Sequence, residues 1–597
     1  MAEAPASSSA VTGQADTIYY YGGDIVTVAA TREAREAEAV AVRGDTIVFV
    51  GGREEAFANW DAAGTAVRRD LEGRALLPGF IDAHAHIGGI GLQATIADLL
   101  AEPDGDVGTI AALQRKLREW YDSFSADEGK PGWIVGFGYD DTLLTDEHGI
   151  TRHPTRDDLD QVSTTRPVLA IHQSFHLGAV NSKGLEVLGY SKETKDPQGG
   201  AIRRRNASDS PDFEQPFGEP NGVLEETAFN PAADLAVTSL PPHVSAELLA
   251  KGQQAAAAFG YTTVQDGGQA LATIDAMREL PFLLDVVAYA KAAEVTGLEG
   301  DPVRAGEKYS AGRMRVAGVK LYLDGSPQGR TAWLRDPYLL APEGKPQPYH
   351  GISTIAEADL LAQVRRGFAM EWQIIAHVNG DAAIGQFIRA IRTVAEERGE
   401  SREELAGRRI VAVHSQTVRA DQLDDFQRLA IIPSFFPMHT FYWGDWYGTI
   451  LGDERARSIS PARWALDRGL AYTAHHDAPV AKPSSIGILA SQVTRVTRSG
   501  EILGPEQCVS ALDAVRSITI NAARQYGEQA SKGSIERGKL ADLVILSANP
   551  LTVPSEGIKD ITVVETVKGG TTVHPEPARG RRRGGTLPAG VRIQTHC

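Results

Sequence analysis

Cysteine is nearly absent from this 597-residue chain: only Cys508 and Cys597 occur. Two thiols make neither a disulfide framework nor a thiolate zinc site. No run of about 18 apolar residues exists, so no transmembrane helix is expected. The first residues, MAEAPASSSAVTGQADT, lack a basic n-region and an apolar h-region, so no secretory signal is expected. Cations are outnumbered, with a formal net charge of −17. That disfavours nucleic acid as a partner, because phosphate binding needs clustered Lys and Arg. What remains is a soluble, cytoplasmic protein that acts on a small molecule, without a membrane partner and with a homodimer as one option.

Ordinary proportions of apolar (42%) and charged (23%) residues fit one large globular domain with smaller companions. Residues 1–16, rich in Ala and Ser, are expected to be disordered, and the tail 576–597 to be flexible. Short β runs begin at Ile18: TIYYYGGDIVTV and EAVAVRGDTIVFVGG read as hairpin strands. Eight later segments share one design, a short apolar run that stops at polar or ionisable residues. They are 76–86, 261–268, 282–290, 316–326, 372–381, 408–416, 429–436 and 470–479. Helical stretches such as DAAIGQFIRAIRTVAEE separate most of them. Alternating β and α units with continuously apolar strands imply a parallel sheet, and eight imply a closed (β/α)8 TIM barrel.

The domain reading follows. Residues 17–75 and 538–575 form a small β-sandwich, 76–510 the barrel, and 511–537 a helical connection. The excess over the roughly 250 residues of a plain barrel lies at about 87–255. That stretch reads as an inserted subdomain over the barrel mouth.

Chemistry collects where the strands end. His84 and His86 are two residues apart on a strand, so both rings point to one side and can bind one ion. His377 closes WQIIAH, His414 closes RRIVAVH and Asp477 closes LAYTAHHD. Lys320 sits inside the apolar strand GVKLYL. A buried lysine is costly unless paired, deprotonated or modified. Carbamylated by carbon dioxide, it becomes an anionic ligand able to bridge two ions. One such residue at a strand end is commonplace; six at the C-terminal ends of barrel strands, where barrel enzymes build their sites, are not.

These segments resemble the amidohydrolase superfamily, in its amidohydrolase-3 branch. PGFIDAHAH is similar to the first-strand signature, GVKLYLDGSPQGRTA to the lysine-strand motif and HVNGDAAI to the His-x-x-Gly-Asp segment. SFHLGAVNS resembles the insertion motif, and GSIERGKLADLVILSANP the return to the sandwich. The resemblance implies that His84 and His86 bind one ion, and that Lys320, if carbamylated, bridges to a second ion held by His377 and His414. It implies that Asp477 binds metal and takes the proton of the attacking water. Zinc, one or two ions, suits imidazole and carboxylate donors.

The implied reaction is hydrolysis of a C–N bond in an amide, N-acyl or carbamate-like small molecule by a metal-activated hydroxide. Deaminases of the superfamily use one metal, no lysine ligand and a Glu soon after the fifth-strand His. Here Lys320 is present and Val-Asn-Gly-Asp follows His377. Ester or lactone hydrolysis stays open, and a non-enzymatic regulator is a further reading. Departures from the pattern surround the ligands: Val-His-Ser-Gln at His414 in place of Glu-His-Ala-Gln, and His-His-Asp-Ala-Pro at Asp477 in place of Ser-Asp-Trp-Pro. His176 matches the insertion motif and is a candidate for substrate contact. SFFPMHTFYWGDWYG (434–448) reads as a loop whose Phe435, His439, Trp443 and Trp446 wall the substrate, with His476 as a further contact.

Overall fold

The computed structural model describes residues 17–575, apart from 30–36, 61–65, 126–128, 206–217, 279, 296–311, 343–344 and 346. Residues 1–16 and 576–597, expected to be disordered and flexible, lie outside the described residues.

The sheet that carries the site is eight-stranded and parallel. Its strands are β1 (Phe80–Ile81), β2 (Tyr261–Gln269), β3 (Asp285–Lys291), β4 (Met314–Tyr322), β5 (Gln373–Val378), β6 (Val411–His414), β7 (Ile432–Phe435) and β8 (Thr473–Ala474). They pair in sequence order from β1 to β8. Every residue of β2 and β5 is buried, as parallel strands covered on both faces require. Ile81, Val287, Tyr289, Ile375, Val411 and Val413 form one apolar cluster with Ala522, Ala523 and Tyr526 from the helix Ile520–Gln525 and its end. The same helix ties the edge strands together. Gln525 accepts from Thr473 Oγ1 at 2.7 Å and donates to the Ala83 carbonyl at 2.8 Å. Above it, His86 N–H donates to the Ala478 carbonyl at 3.0 Å.

The helices between strands follow from periodicity. In Asp381–Arg398, Ile384, Phe387, Ile388, Ile391, Val394 and Ala395 recur at three- and four-residue spacing and are all buried. The helix stops at Gly399, whose φ of 66° is the left-handed conformation that glycine adopts without cost.

A six-stranded sheet is inserted between β1 and β2. Its order is Gly200–Arg204, Pro220–Glu226, Leu177–Val180, Val168–His172, Ile134–Tyr139 and Ala97–Asp98. It carries His176 and Glu226. The chain termini build two more sheets. One holds Thr17–Tyr21, Ala39–Arg43, Thr46–Gly51 and Val67–Asp70; the other pairs Ala75–Pro78 with Leu543–Leu546. Tyr20, Val40, Leu76, Leu543 and Val567 share one core between them.

Two expectations change. Thr17–Tyr21 pairs antiparallel with Ala39–Arg43, and that strand with Thr46–Gly51, as expected, but the run from Thr17 to Val28 is split. The chain turns at Gly22, φ 77°, and Asp24–Ile25 leaves for the second sheet, pairing with Ala75 and Leu76. The aromatic segment after β7 is not a loop: His439–Leu451 is a helix with His439, Tyr442, Trp443 and Tyr447 buried. Among the described residues, no helix is long and apolar enough to cross a membrane.

Candidate metal centre

The loops and strand ends above β1, β4, β5, β6 and β8 bring the six sequence-derived residues together. Each is buried. Lys320 Nζ lies 2.7 Å from His84 Nε2. Asp477 Oδ1 lies 3.3 Å from His84 Nε2 and 3.8 Å from His86 Nε2, and Oδ2 lies 3.8 Å from His414 Nδ1. His414 Nε2 and His377 Nδ1 are 3.0 Å apart.

The backbone is held in unusual conformations here. His414, Ser415 and Asp477 have φ of 69°, 45° and 52°. For non-glycine residues these are sparsely populated, and such outliers cluster at functional sites. The surroundings impose them: Ser415 N–H donates to the Val378 carbonyl at 3.0 Å, and Val480 N–H to the Asp477 carbonyl at 2.8 Å.

Electrostatics leave the imidazoles neutral. Burial, helped by nearby Lys320 and neighbouring rings, holds His84, His377 and His414 well below the ordinary histidine value. Neutral imidazole is the metal-binding form. Burial pushes the Asp477 carboxyl above the usual carboxylate range, against the opposing Lys320 and His176. Its Oδ1 is buried and has no hydrogen-bond partner among the described residues. One ligand atom each from His84, His86 and Asp477 fall within 4.8 Å of one another. Two imidazole nitrogens and an unsatisfied carboxylate oxygen suit a divalent cation, and the His377–His414 pair could hold a second.

A neighbouring histidine, His475, completes a relay. Its Nε2 lies 3.1 Å from His414 Nδ1 and its Nδ1 3.0 Å from Ser434 Oγ. His476 turns away, its Nε2 3.7 Å from Asp82 and its ring against Tyr261. His176 reaches the centre from the inserted sheet, its ring 5.0 Å from that of His377. Glu226 accepts from His176 Nδ1 at 2.9 Å. Burial would lower the His176 value, but this carboxylate overrides it and raises it. Asp324 stitches the loop after β4 to β5, accepting from the Trp333, Asn379 and Gly380 amides at 2.7–3.0 Å.

A cavity of about 630 Å³ reaches this cluster at Lys320; His176, Phe175, Tyr322, Asn230 and Arg366 are also among its lining, whereas His84, His86, His377, His414 and Asp477 are not. Phe435, His439, Trp443, Trp446 and His476 do not line it. Their rings are spent on packing. Phe435 packs against Tyr472, His439 stacks on Tyr447 and hydrogen-bonds its hydroxyl, and Trp446 Nε1 lies 3.3 Å from the Gln328 carbonyl. Trp443 Nε1 donates to Asp140 at 3.0 Å and so joins this helix to the inserted sheet. Asp140, Asp141 and His172 form a second carboxylate–histidine group, but its atoms are taken. His172 Nε2 and His153 Nε2 each meet a different oxygen of Asp141, at 3.0 and 3.3 Å.

Glu226 and Ser434 carry no signal in the sequence, since each matters only through a histidine distant along the chain. His475 stood out only as one of two histidines beside Asp477.

Residues 69–574 match the family model described as Amidohydrolase family. YtcJ of Bacillus subtilis (strain 168) is 25% identical over 573 residues, covering 93% of this chain and 99% of YtcJ. The N-substituted formamide deformylase of Arthrobacter pascens is 25% identical over 552 residues, covering 89% and 94%. Among solved structures, an uncharacterized metal-dependent hydrolase from Pyrococcus horikoshii OT3 superposes with a TM-score of 0.65 at 21% identity, over 90% of this chain and 99% of that one. With the family model spanning most of its length, the chain belongs to the amidohydrolase family.

Proposed function

We propose that this chain is a metal-dependent hydrolase that cleaves the C–N bond of an amide, N-acyl or carbamate-like small molecule. The observation that carries the reading is the convergence of His84, His86 and Asp477 beside Lys320 at the strand ends. His84 Nε2 and His86 Nε2 would hold one divalent ion with Asp477. Lys320, carbamylated, would reach a second ion at His377 Nδ1 and His414 Nε2. Zinc suits these donors. A bound ion supplies Lewis acidity toward the scissile carbonyl and lowers the pKa of water to near 7.

The remaining chemistry belongs to the side chains. Asp477 accepts the proton of the attacking water at its carboxylate and returns it to the leaving nitrogen, as a carboxyl with a raised value is suited to do. His176, kept protonated longer than an ordinary histidine by Glu226, faces the cavity as a donor for the substrate carbonyl. The cavity volume is that of a small-molecule site, and Phe175 and Tyr322 give it apolar walls. A likeness to a deformylase of N-substituted formamides favours C–N cleavage.

Amine release from N-formyl, N-acyl and carbamate substrates by the zinc-loaded chain tests this. Release from at least one class, abolished by chelation, is the expected result. Ester or lactone turnover without amine release, or ammonia from a heterocycle, would assign the reaction to a different class.

A further inference from the structure

His84 has two ring nitrogens, and only Nε2 faces Lys320 and Asp477. What selects that nitrogen is a chain of hydrogen bonds beneath the centre whose directions are all forced. Tyr526, at the end of the helix Ile520–Gln525, places its hydroxyl 2.7 Å from the Asp82 carbonyl. A carbonyl only accepts, so the Tyr526 hydrogen is committed to it. The Tyr526 oxygen must then accept, and Gln265 Nε2 lies 2.8 Å away. The same Nε2 lies 2.8 Å from the Ala83 carbonyl, a second pure acceptor. Both contacts demand the NH2 end of the amide, which resolves its orientation without reference to His84. Gln265 Oε1 is therefore turned toward His84 Nδ1, 2.5 Å away. An amide oxygen carries no proton, so the hydrogen of this bond resides on Nδ1 and the lone pair on Nε2.

We propose that Gln265 is a positioning residue: locked by Ala83 and Tyr526, it fixes His84 as the Nδ1–H tautomer and turns its Nε2 lone pair into the centre. Gln265 is fully buried in β2, so water does not compete for these bonds. The carbonyls of Asp82 and Ala83 belong to the same turn that carries His84, so the amide and the phenol also hold the His-Ala-His segment at its height above β1. The inference rests on the proposed metal centre, and it links that centre to a residue 261 positions downstream of Gln265.

The test uses the full-length chain and three variants: Gln265→Met, which keeps length and loses both amide functions, Gln265→Glu, which keeps an acceptor toward Nδ1, and Tyr526→Phe. Zinc affinity is read by chelator competition. The His84 tautomer is read from histidine nitrogen shifts in the metal-free protein, assigned with His84→Ala. Gln265→Met is expected to lose about 10–100-fold in affinity for one ion and to lose the pure Nδ1–H signature. Gln265→Glu, which keeps the acceptor toward Nδ1 but loses the donors to Ala83 and Tyr526, is expected to keep the Nδ1–H signature with an affinity between those of Gln265→Met and the parent, and Tyr526→Phe to lose less than about tenfold. Parental affinity in Gln265→Met, or equal losses in the Met and Glu variants, would overturn the proposal. If the parent binds no zinc, the metal-centre reading fails, and the tautomer signal decides this inference by itself. An Nδ1–H ring in the parent that changes in Gln265→Met upholds the lock, and an unchanged ring refutes it.

Discussion

Asp477→Asn is expected to lower kcat by about 10²–10⁴-fold, the range that a lost general base produces. The substitution is chosen for its backbone. Asp477 has φ of 52°, and asparagine enters the left-handed region more readily than other side chains. The Val480 amide and the Ala478 carbonyl, which pin this turn to itself and to His86, are main-chain groups and survive the change. The amide keeps the shape of the carboxyl but takes no proton near neutral pH. It also removes the negative charge from between His84, His86 and His414, so metal retention must be measured beside the rate. A variant that keeps its metal and its melting temperature but loses kcat places the proton transfer at Asp477. Parental kcat in Asp477→Asn would remove that role.

Asp285→Asn is expected to destabilise the protein by about 3–5 kcal/mol at neutral pH, toward the lower figure. Asp285 begins β3 at the end of the sheet opposite the metal centre. Its carboxylate meets Lys568 Nζ at 2.5 Å and Lys532 Nζ at 2.6 Å, and all three side chains are buried. Lys568 ends the strand Val563–Lys568, so this cluster joins the eight-stranded parallel sheet to the terminal sheet. Removing the shared anion leaves buried ammonium charge in excess. The loss is moderated because Lys532 keeps Glu528 and Lys568 keeps Asp542, each at 2.8 Å.

Acid sensitivity follows with a definite sign. Burial would raise the Asp285 carboxyl, but the two ammonium groups override it and hold it below the usual carboxylate range. A folded value below the unfolded value of about 3.9 means that the carboxylate stabilises the fold fully above that pH. The contribution is lost as pH falls through the folded value. The parent should therefore lose stability below about pH 4 through this group, and Asp285→Asn should lack that component. Denaturant midpoints at pH 7 and across the acid range measure both. A variant within about 1 kcal/mol of the parent at pH 7 would show that the remaining pairs suffice.

The parts of the molecule that could be read from the sequence share a physical cause. Parallel strands are buried on both faces, so 374–376 and 411–413 stand out as unbroken apolar runs, and an ionisable residue ending or interrupting such a run is conspicuous. That made His377, His414 and Lys320 legible. His84 and His86 were conspicuous through the two-residue spacing of a strand, although the strand stops at Ile81 and both follow it, with His84 in a bend. The aromatic segment after β7 misled for an equally physical reason. Aromatic composition is the same for a cavity wall and for a packed helix, and only the partners distinguish them. Trp443 has Asp140, more than 300 residues earlier, and His439 has Tyr447 on its own helix. Gln265, Glu226 and Tyr526 were invisible because they act through histidines or carbonyls that the fold alone brings near. An uncharged glutamine in an apolar strand carries no mark of its task.

Metal content per chain, on protein expressed with zinc and bicarbonate beside a Lys320→Ala variant, tests the central claim most directly. The account predicts about two ions in the parent and fewer in the variant, because Lys320 lies against His84 and, carbamylated, would supply the anionic ligand shared with the His377–His414 pair. A parent that binds no metal under these conditions would contradict it.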